Sequence, residues 1–286
     1  MSGRTVGVLH PGSMGATVAA AVRDTGNRVL WCPEGRSAAT VQRAHDAGFT
    51  AVGSLSELAG TCDTVLSICP PAAAESVAEA VAQAGFTGIY IEANAINPQR
   101  LERIARILGS RSATVVDAAV MTSPSANGGR DIRIYLANDE QRQGTAATTV
   151  RDLFDHPPVT GIVLNGPFGV ASALKLAHAQ YQKAARVLAA VSYALAERFG
   201  VTEQLHHEAH LNQESPLAHP EFLPIVASRA WRWAPELTEV TEFLRSQGLP
   251  HEQARQASAV LNRWSSHKDH RPTLQDLLND LSHDSR

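Results

Sequence analysis

The chain has 286 residues, with 25 Lys or Arg against 28 Asp or Glu, so its net charge is −3 with histidines neutral. At roughly 150 residues per domain this length fits two domains, and 44 % hydrophobic against 19 % charged residues is a composition that buries a core rather than staying disordered. No long basic block and no apolar run of about 20 residues occurs, so neither a nucleic-acid nor a membrane partner is expected.

The start, Met1-Ser2-Gly3-Arg4-Thr5, enters a short apolar segment at once and leaves no room for a secretory signal. Cys32, Cys62 and Cys69 are odd in number and lack C-x-x-C spacing, the pattern of reduced, mostly buried thiols. A cytoplasmic location is expected.

The first half alternates strand and helix signals. Thr5 to His10 is an apolar run halted by Pro11-Gly12, and Met14 to Thr25 places Ala and Val at helical spacing before Gly26. Arg28 to Cys32 reads as the next strand; Ser37 caps a helix to about Ala47, and Ser54 caps a short one over Leu55 to Ala59. Thr64 to Cys69 is a strand halted by Pro70-Pro71, a helix covers Ala72 to Ala84, and Gly88 to Asn94 is a further strand. Strands apolar on both faces, separated by helices, require a buried parallel sheet. Thr114 to Val120 and Asp131 to Ala137 flank Asn127-Gly128-Gly129 and are expected to add an antiparallel pair.

The character changes near Asn165-Gly166-Pro167. Val170 to Phe199 has no Gly or Pro and spells one long helix of about 45 Å. Helices are also expected around Glu203 to Asn212, Pro235 to Gln247, Glu252 to Trp264 and Leu274 to Leu281, with a polar, fraying tail after Leu281.

Between the first strand and first helix stands His10-Pro11-Gly12-Ser13-Met14-Gly15. The dinucleotide fingerprint is G-x-G-x-x-G, whose glycines allow a tight turn and a close approach of the pyrophosphate to the helix N-terminus. Gly12 and Gly15 fill the second and third positions, and His10 replaces the first. The alternative is an ordinary glycine turn before a helix. About 20 residues on, the fingerprint expects an acid for a ribose hydroxyl or a basic group for a 2′-phosphate. Glu34-Gly35-Arg36-Ser37 offers both; a guanidinium and a hydroxyl at a helix start suit a phosphate, so NADPH is expected over NADH.

The segment Gly166-Pro167-Phe168-Gly169-Val170-Ala171-Ser172-Ala173-Leu174-Lys175 matches a pattern like G-x-x-G-x-G-x-x-x-K except for Ala171. On these residues and the opening glycines, the chain resembles the β-hydroxyacid dehydrogenase superfamily, which includes 6-phosphogluconate and 3-hydroxyisobutyrate dehydrogenases. The strings at Cys69 to Pro71, Ala93 to Ala95, Ala171 to Lys175 and Arg229 to Arg232 resemble a branch whose helical domain has no assigned function. The resemblance covers essentially the whole chain. It implies an α/β fold: a doubly wound Rossmann sheet over residues 1–165, an all-helical substrate and dimerisation domain over 166–286, one long joining helix, and a homodimer.

By the same resemblance Lys175 is the catalytic residue. Hydride transfer between a nicotinamide and a carbonyl carbon needs a group that exchanges the hydroxyl proton, and a lysine in a partly dry cleft has both protonation states within reach near neutrality. Otherwise it is a solvated helix lysine. His178 shares its helical face and matches the Lys-x-x-His-Asn order of the 6-phosphogluconate branch, with Ala179 in the asparagine's place; the alternative is a surface or interface histidine. The family's Asp-Ala-Pro-Val-Ser-Gly-Gly substrate loop corresponds to Asp117-Ala118-Ala119-Val120-Met121-Thr122-Ser123, so the grip on a substrate carboxylate must differ at Met121, Thr122 and Ser123. A late Lys-Asp pair of the family corresponds to Pro235-Glu236, and by this resemblance Glu236 is expected to contact the substrate; His178 and Trp231 are expected to contact it as well.

Cys69, Pro70, Pro71 and the asparagines Asn94 and Asn97 stand at strand ends, where ligands collect in such sheets; the asparagines can equally be turn residues. Arg229-Ala230-Trp231-Arg232-Trp233 reads as a pocket wall around Trp231 or as a packed helix joint. His206 and His210 have a spacing able to bind zinc, but no third ligand is near in sequence, and no metal is expected. The expected function is an NADPH-dependent oxidoreductase acting on a small hydroxy or keto acid. The alternatives are an imine reductase, whose relatives usually carry Asp or Tyr where Lys175 stands, and a non-catalytic nucleotide-binding protein.

Overall fold

Each of the apolar runs closes into a strand because both of its faces find a helix to cover them. The computed structural model of the chain describes residues 3–124, 129–138, 145–211, 216–268 and 270–282, in two compact units, Met1–Lys175 and Leu176–Arg286.

The first unit runs β1 (Thr5–Val8), α1 (Ser13–Asp24), β2 (Arg28–Trp31), α2 (Ala38–Asp46), β3 (Thr50–Ala51), α3 (Leu55–Thr61), β4 (Thr64–Ser67), α4 (Ala74–Gln83), β5 (Ile89–Glu92), α5 (Pro98–Gly109), β6 (Thr114–Pro124), β7 (Arg130–Ala137), α6 (Ala146–Arg151), β8 (Asp155–His156) and β9 (Val159–Val163). Its sheet has the order β3-β2-β1-β4-β5-β6-β7-β9-β8. From β3 to β6 every pairing is parallel, the doubly wound order with its switch point between β1 and β4. β7 then turns antiparallel to β6, as expected, and β9 runs parallel to β7. Of the turn between them, Asn127 and Gly128 lie outside the described residues, while Gly129 sits at φ +82°.

Strand alternation sends Val8, Leu66, Ile91 and Val116 to one face, against Val18, Val22 and Phe154. Val65, Tyr90 and Val115 go to the other, against Leu58, Val81, Leu101 and Ile104. Ser37 and Ser54 cap α2 and α3 by accepting from the amides of Thr40 and Glu57, and Gly26, at φ +86°, follows the end of α1.

β3, α5, α6, β8 and β9 are not among the elements expected from the sequence. Of these, α5 carried a clear signal: Asn97 caps it, Pro98 starts it, and Leu101, Ile104 and Leu108 are buried at helical spacing.

Next in the chain comes α7 (Val170–Arg198), 29 residues long and so about 44 Å; its first six residues belong to the first unit. The second unit continues with α8 (Thr202–His210), α9 (Leu223–Ser246), α10 (Glu252–Arg263) and α11 (Leu274–Ser282). Its core gathers Leu176, Tyr193, Val226, Ala230, Leu237, Leu261 and Trp264, and the Trp264 indole donates to the Leu277 carbonyl at 3.0 Å.

One expectation is corrected here. The helix placed from Pro235 begins twelve residues earlier, at Leu223, and Pro235 lies inside it. A proline removes one helical hydrogen bond, but Val226, Ala227, Ala230, Ala234, Leu237 and Val240 bury one continuous face across it, and that burial outweighs the lost bond. Asn212 and the tail beyond residue 282 lie outside the described residues.

Candidate active site

The first feature is the turn after β1. Gly12 occupies the N-cap of α1 with no side-chain cap, so the amides of the first turn point outward without intrahelical acceptors. A Cβ at Gly12 would meet nothing within 4 Å, whereas one at Gly15 would fall 2.4 Å from the His10 carbonyl oxygen. The helix can therefore approach the strand end only with glycine at 15, the role of the fingerprint's third glycine. His10 is half-buried, and that burial, aided by the nearby Arg36 charge, lowers its pKa to about 4. It is thus neutral at working pH, and its Nδ1 has no partner among the described residues.

Arg36 supplies the positive charge instead. Its Nε is buried with no hydrogen-bond partner among the described residues, and its charge is felt at both His10 and Cys69. It therefore lies at the mouth of the glycine turn rather than out in solvent. Ser37 spends its hydroxyl on capping α2, and Glu34 is exposed. An uncapped helix start and a glycine turn fit the diphosphate of a nicotinamide dinucleotide, with the Arg36 guanidinium nearby. Gly12, Ser13, Met14, Gly15 and Arg36 would hold it, beside His10 and Pro11.

At the ends of β4 and β5 the polar groups serve one another. Asn94 accepts from the Cys69 amide and donates to Ser67 Oγ at 3.2 Å, while its own amide donates to Glu92 at 3.0 Å. Asn97 caps α5. Burial, reinforced by Glu92, pushes the Cys69 thiol up to about 12. The three cysteines are free, with Cys32 and Cys62 buried and Cys69 half-buried. Pro70 is exposed, and the Pro71 carbonyl accepts from Arg100.

The second feature joins β6 to the start of α7. Gly169 stands at φ +95°, and a Cβ there would meet Pro98 at 2.9 Å; this explains the glycine that precedes the lysine. Asp117, fully buried, accepts from the amides of Ala171 and Ser172 at 2.9 and 3.0 Å and from Ser172 Oγ at 2.6 Å. It caps the helix from a neighbouring strand. Its carboxyl is raised to about 6 by burial, against which the three donors work, so it is ionised at neutral pH. Glu92 stands directly opposite in the β5–β6 register, and burial lifts it to about 8, which keeps it neutral and spares Asp117 a second charge. Ala171, where the family pattern has glycine, packs with Ala119 and Ala137.

One turn into the helix, half-buried Lys175 donates from Nζ to the Val120 carbonyl at 2.7 Å. Met121 is buried, and Thr122 and Ser123 are half-buried. Their hydroxyls accept from arginines on β7, Thr122 from Arg130 at 3.3 Å and Ser123 from Arg133 at 3.0 Å. Lys175 therefore reaches β6 beside Met121, Thr122 and Ser123, which lie in the strand rather than in a loop.

In the second unit His178 is exposed. Glu236 pairs with buried Lys183, whose ammonium also lies 5.6 Å from the Trp233 ring. Trp231 is exposed, with Lys268 at 4.5 Å over its ring. His206 and His210 contact edge to face at 4.1 Å, and no cluster of three metal-ligating side chains occurs among the described residues. No described helix is long and apolar enough to cross a membrane. Sequence reasoning missed Glu92, Arg133, Lys183 and the capping role of Asp117; only Asp117 stood in a motif already singled out.

Residues 5–132 match the NAD binding domain of 6-phosphogluconate dehydrogenase, and residues 196–264 match a domain of unknown function (DUF1932). No functionally curated protein matches the sequence. Among solved structures, a conserved protein of unknown function with similarity to 3-hydroxyacid dehydrogenases is 24 % identical with TM-score 0.64, over 92 % of this chain and 98 % of its own. A 3-hydroxyisobutyrate dehydrogenase from Salmonella typhimurium is 17 % identical with TM-score 0.72, over 96 % and 99 %. An imine reductase from Streptomyces aurantiacus is 15 % identical with TM-score 0.57, over 98 % and 100 %. At such identities the likeness establishes the fold, that of the 3-hydroxyacid dehydrogenases.

Proposed function

Because residues 5–132 belong to the NAD-binding family of 6-phosphogluconate dehydrogenase, we propose that the chain is an NADPH-dependent oxidoreductase of β-hydroxyacid dehydrogenase type, acting on a small hydroxy or keto acid. The observation that carries this reading is Lys175, held by the Val120 carbonyl beside Met121, Thr122 and Ser123 of β6. When bound, the nicotinamide supplies or accepts the hydride. Lys175 donates a proton to the carbonyl oxygen in reduction and takes it from the hydroxyl in oxidation. Asp117 fixes the start of the helix that aims it, and Arg36 favours the 2′-phosphate.

A second reading, reduction of a C=N bond, draws on the departures from the family pattern at Met121, Thr122 and Ser123 and on the fold shared with an imine reductase. The retained lysine favours the carbonyl reading. The test is a panel of hydroxy acids, keto acids and cyclic imines with NADPH and with NADH, followed through nicotinamide absorbance. Turnover of an acid with NADPH preferred supports the proposal. Turnover of imines alone moves it to the second reading, and nucleotide binding with no turnover of any class refutes both.

The chain is further proposed to act as a homodimer in the cytoplasm, on a small molecule rather than a nucleic acid or membrane. Tyr181, Leu188 and Leu195 form an exposed apolar stripe on α7, continued by exposed Phe199 just past its end, at the seven-residue spacing of a helical face that packs against another. A monomer in sedimentation velocity would remove that part.

A further inference from the structure

Where the family pattern has two glycines, this chain has Thr122 and Ser123, and the structure brings a cation to the second of them. Arg133 lies opposite Met121 in the β6–β7 register. It donates from Nη1 to Ser123 Oγ at 3.0 Å. The pleat puts Asp117, Ala119, Met121 and Ser123 of β6 on one face, with Ala137, Tyr135 and Arg133 of β7 beside them. That face receives the first turn of α7 through Asp117 and Ala171, and Lys175 reaches the strand at Val120, next to Met121. The Arg133 side chain is half-buried and forms no ion pair among the described residues. Asp131, two residues away on the same face, is exposed and is not paired with it. By contrast Arg130, bonded to Thr122, projects from the opposite face and is exposed.

A guanidinium has five donors in a fixed fork, shaped to take a carboxylate through two parallel bonds. Arg133 commits one donor to Ser123, which orients the planar group and leaves others for a ligand.

We propose that Arg133, steered by Ser123, binds the carboxylate of the substrate whose carbonyl or hydroxyl faces Lys175. A cationic side chain thus stands beside the positions where the family pattern has its glycine pair, and the enzyme selects anionic substrates over neutral ones. This rests on the proposed dehydrogenase reading for the identity of the substrate, but the anion site can be tested without turnover.

The experiment compares wild type with Arg133→Gln and Arg133→Lys in two assays. The first measures binding of malonate and butyrate, unreactive carboxylates, to the NADPH complex by titrating nicotinamide fluorescence. The second measures kcat and KM for hydroxy acids and their methyl esters. Arg133→Gln is expected to weaken carboxylate binding and raise the KM for acids by about 10- to 100-fold, the scale of a charge-assisted hydrogen bond. Its kcat, its ester kinetics and its affinity for NADPH should stay near wild type, and Arg133→Lys should restore part of the loss. An Arg133→Gln enzyme with wild-type carboxylate binding and acid-to-ester preference overturns the proposal. So does carboxylate binding that neither wild type nor variant shows. If carboxylates bind in an Arg133-dependent way while no hydroxy acid turns over, the anion site stands and the dehydrogenase reading fails.

Discussion

The carboxylate of Asp117 and the hydroxyl of Ser172 lie 2.6 Å apart, a bond between β6 and the first turn of the helix that carries Lys175. With the Ala171 and Ser172 amides on the same carboxylate, the strand dictates where the helix begins, and hence where its lysine reaches one turn later. Ser172→Ala should cost about 1 kcal/mol of stability, and Asp117→Ala about 3 kcal/mol because buried amides lose their acceptor. Since a displacement near 1 Å can cost about 100-fold in rate, Asp117→Ala should lower kcat by that order with a smaller change in KM. Asp117→Asn, which keeps one acceptor oxygen, should lie between. Urea unfolding and steady-state kinetics on the three variants check the ranking; equal kcat in all of them would show that the cap does not position the lysine.

Arg36 is the group assigned to the 2′-phosphate, with its Nε buried at the mouth of the glycine turn. Arg36→Ala should raise the KM for NADPH by about 10- to 100-fold and leave that for NADH nearly unchanged. Equal losses with both coenzymes would place the guanidinium on the diphosphate instead. His10, neutral through burial, should contribute no pH dependence to coenzyme affinity between pH 5.5 and 8.

Glu92 predicts an alkaline loss of stability. Its folded pKa is raised to about 8 from an ordinary 4.5, chiefly by burial. The folded state therefore holds a proton that the unfolded chain has released. That contribution is complete below pH 4.5 and is lost as pH rises through about 8, with a slope of up to about 1.4 kcal/mol per pH unit. Glu92→Gln is neutral at every pH and lacks this slope. Between pH 6 and 9 the Tm of the wild type should fall relative to the variant, and parallel Tm curves would count against a protonated Glu92.

How much of this was legible in the sequence depends on how local the signal is. The Ser37 and Ser54 caps, the stop at Gly26 and the long Gly- and Pro-free helix all rest on neighbouring residues, and each stands where the spacing put it. The helix across Pro235 was misplaced because a local rule met a long-range one: the proline argues for a start, but the core-facing residues on either side hold a single helix. The contacts made by Asp117 with Ser172, 55 positions apart, and by Lys183 with Glu236, 53 apart, follow from register and helix packing. No spacing in one chain announces them. Arg133 stayed hidden for the same reason, since only strand pairing brings it to Ser123.

Glu236, a substrate contact in the sequence reading, pairs in the structure with buried Lys183, whose side chain is 8 % exposed against 17 % for the acid. Removing one member of such a pair strands the other charge. Glu236→Ala should lose about 3–5 kcal/mol, whereas the double change Lys183→Met with Glu236→Leu should recover most of it. Thermal unfolding of the wild type and the two variants decides; an unaltered Tm with a raised substrate KM in Glu236→Ala would return the residue to the substrate.

Lys175 is the proposed proton carrier of a reaction with bound coenzyme, and Lys175→Met tests this most directly when coenzyme affinity and turnover are measured on the same preparation. NADPH should bind as it does to the wild type while kcat falls by about 10²- to 10⁴-fold, the range for removing a general acid or base. Undiminished turnover in the variant would contradict the account.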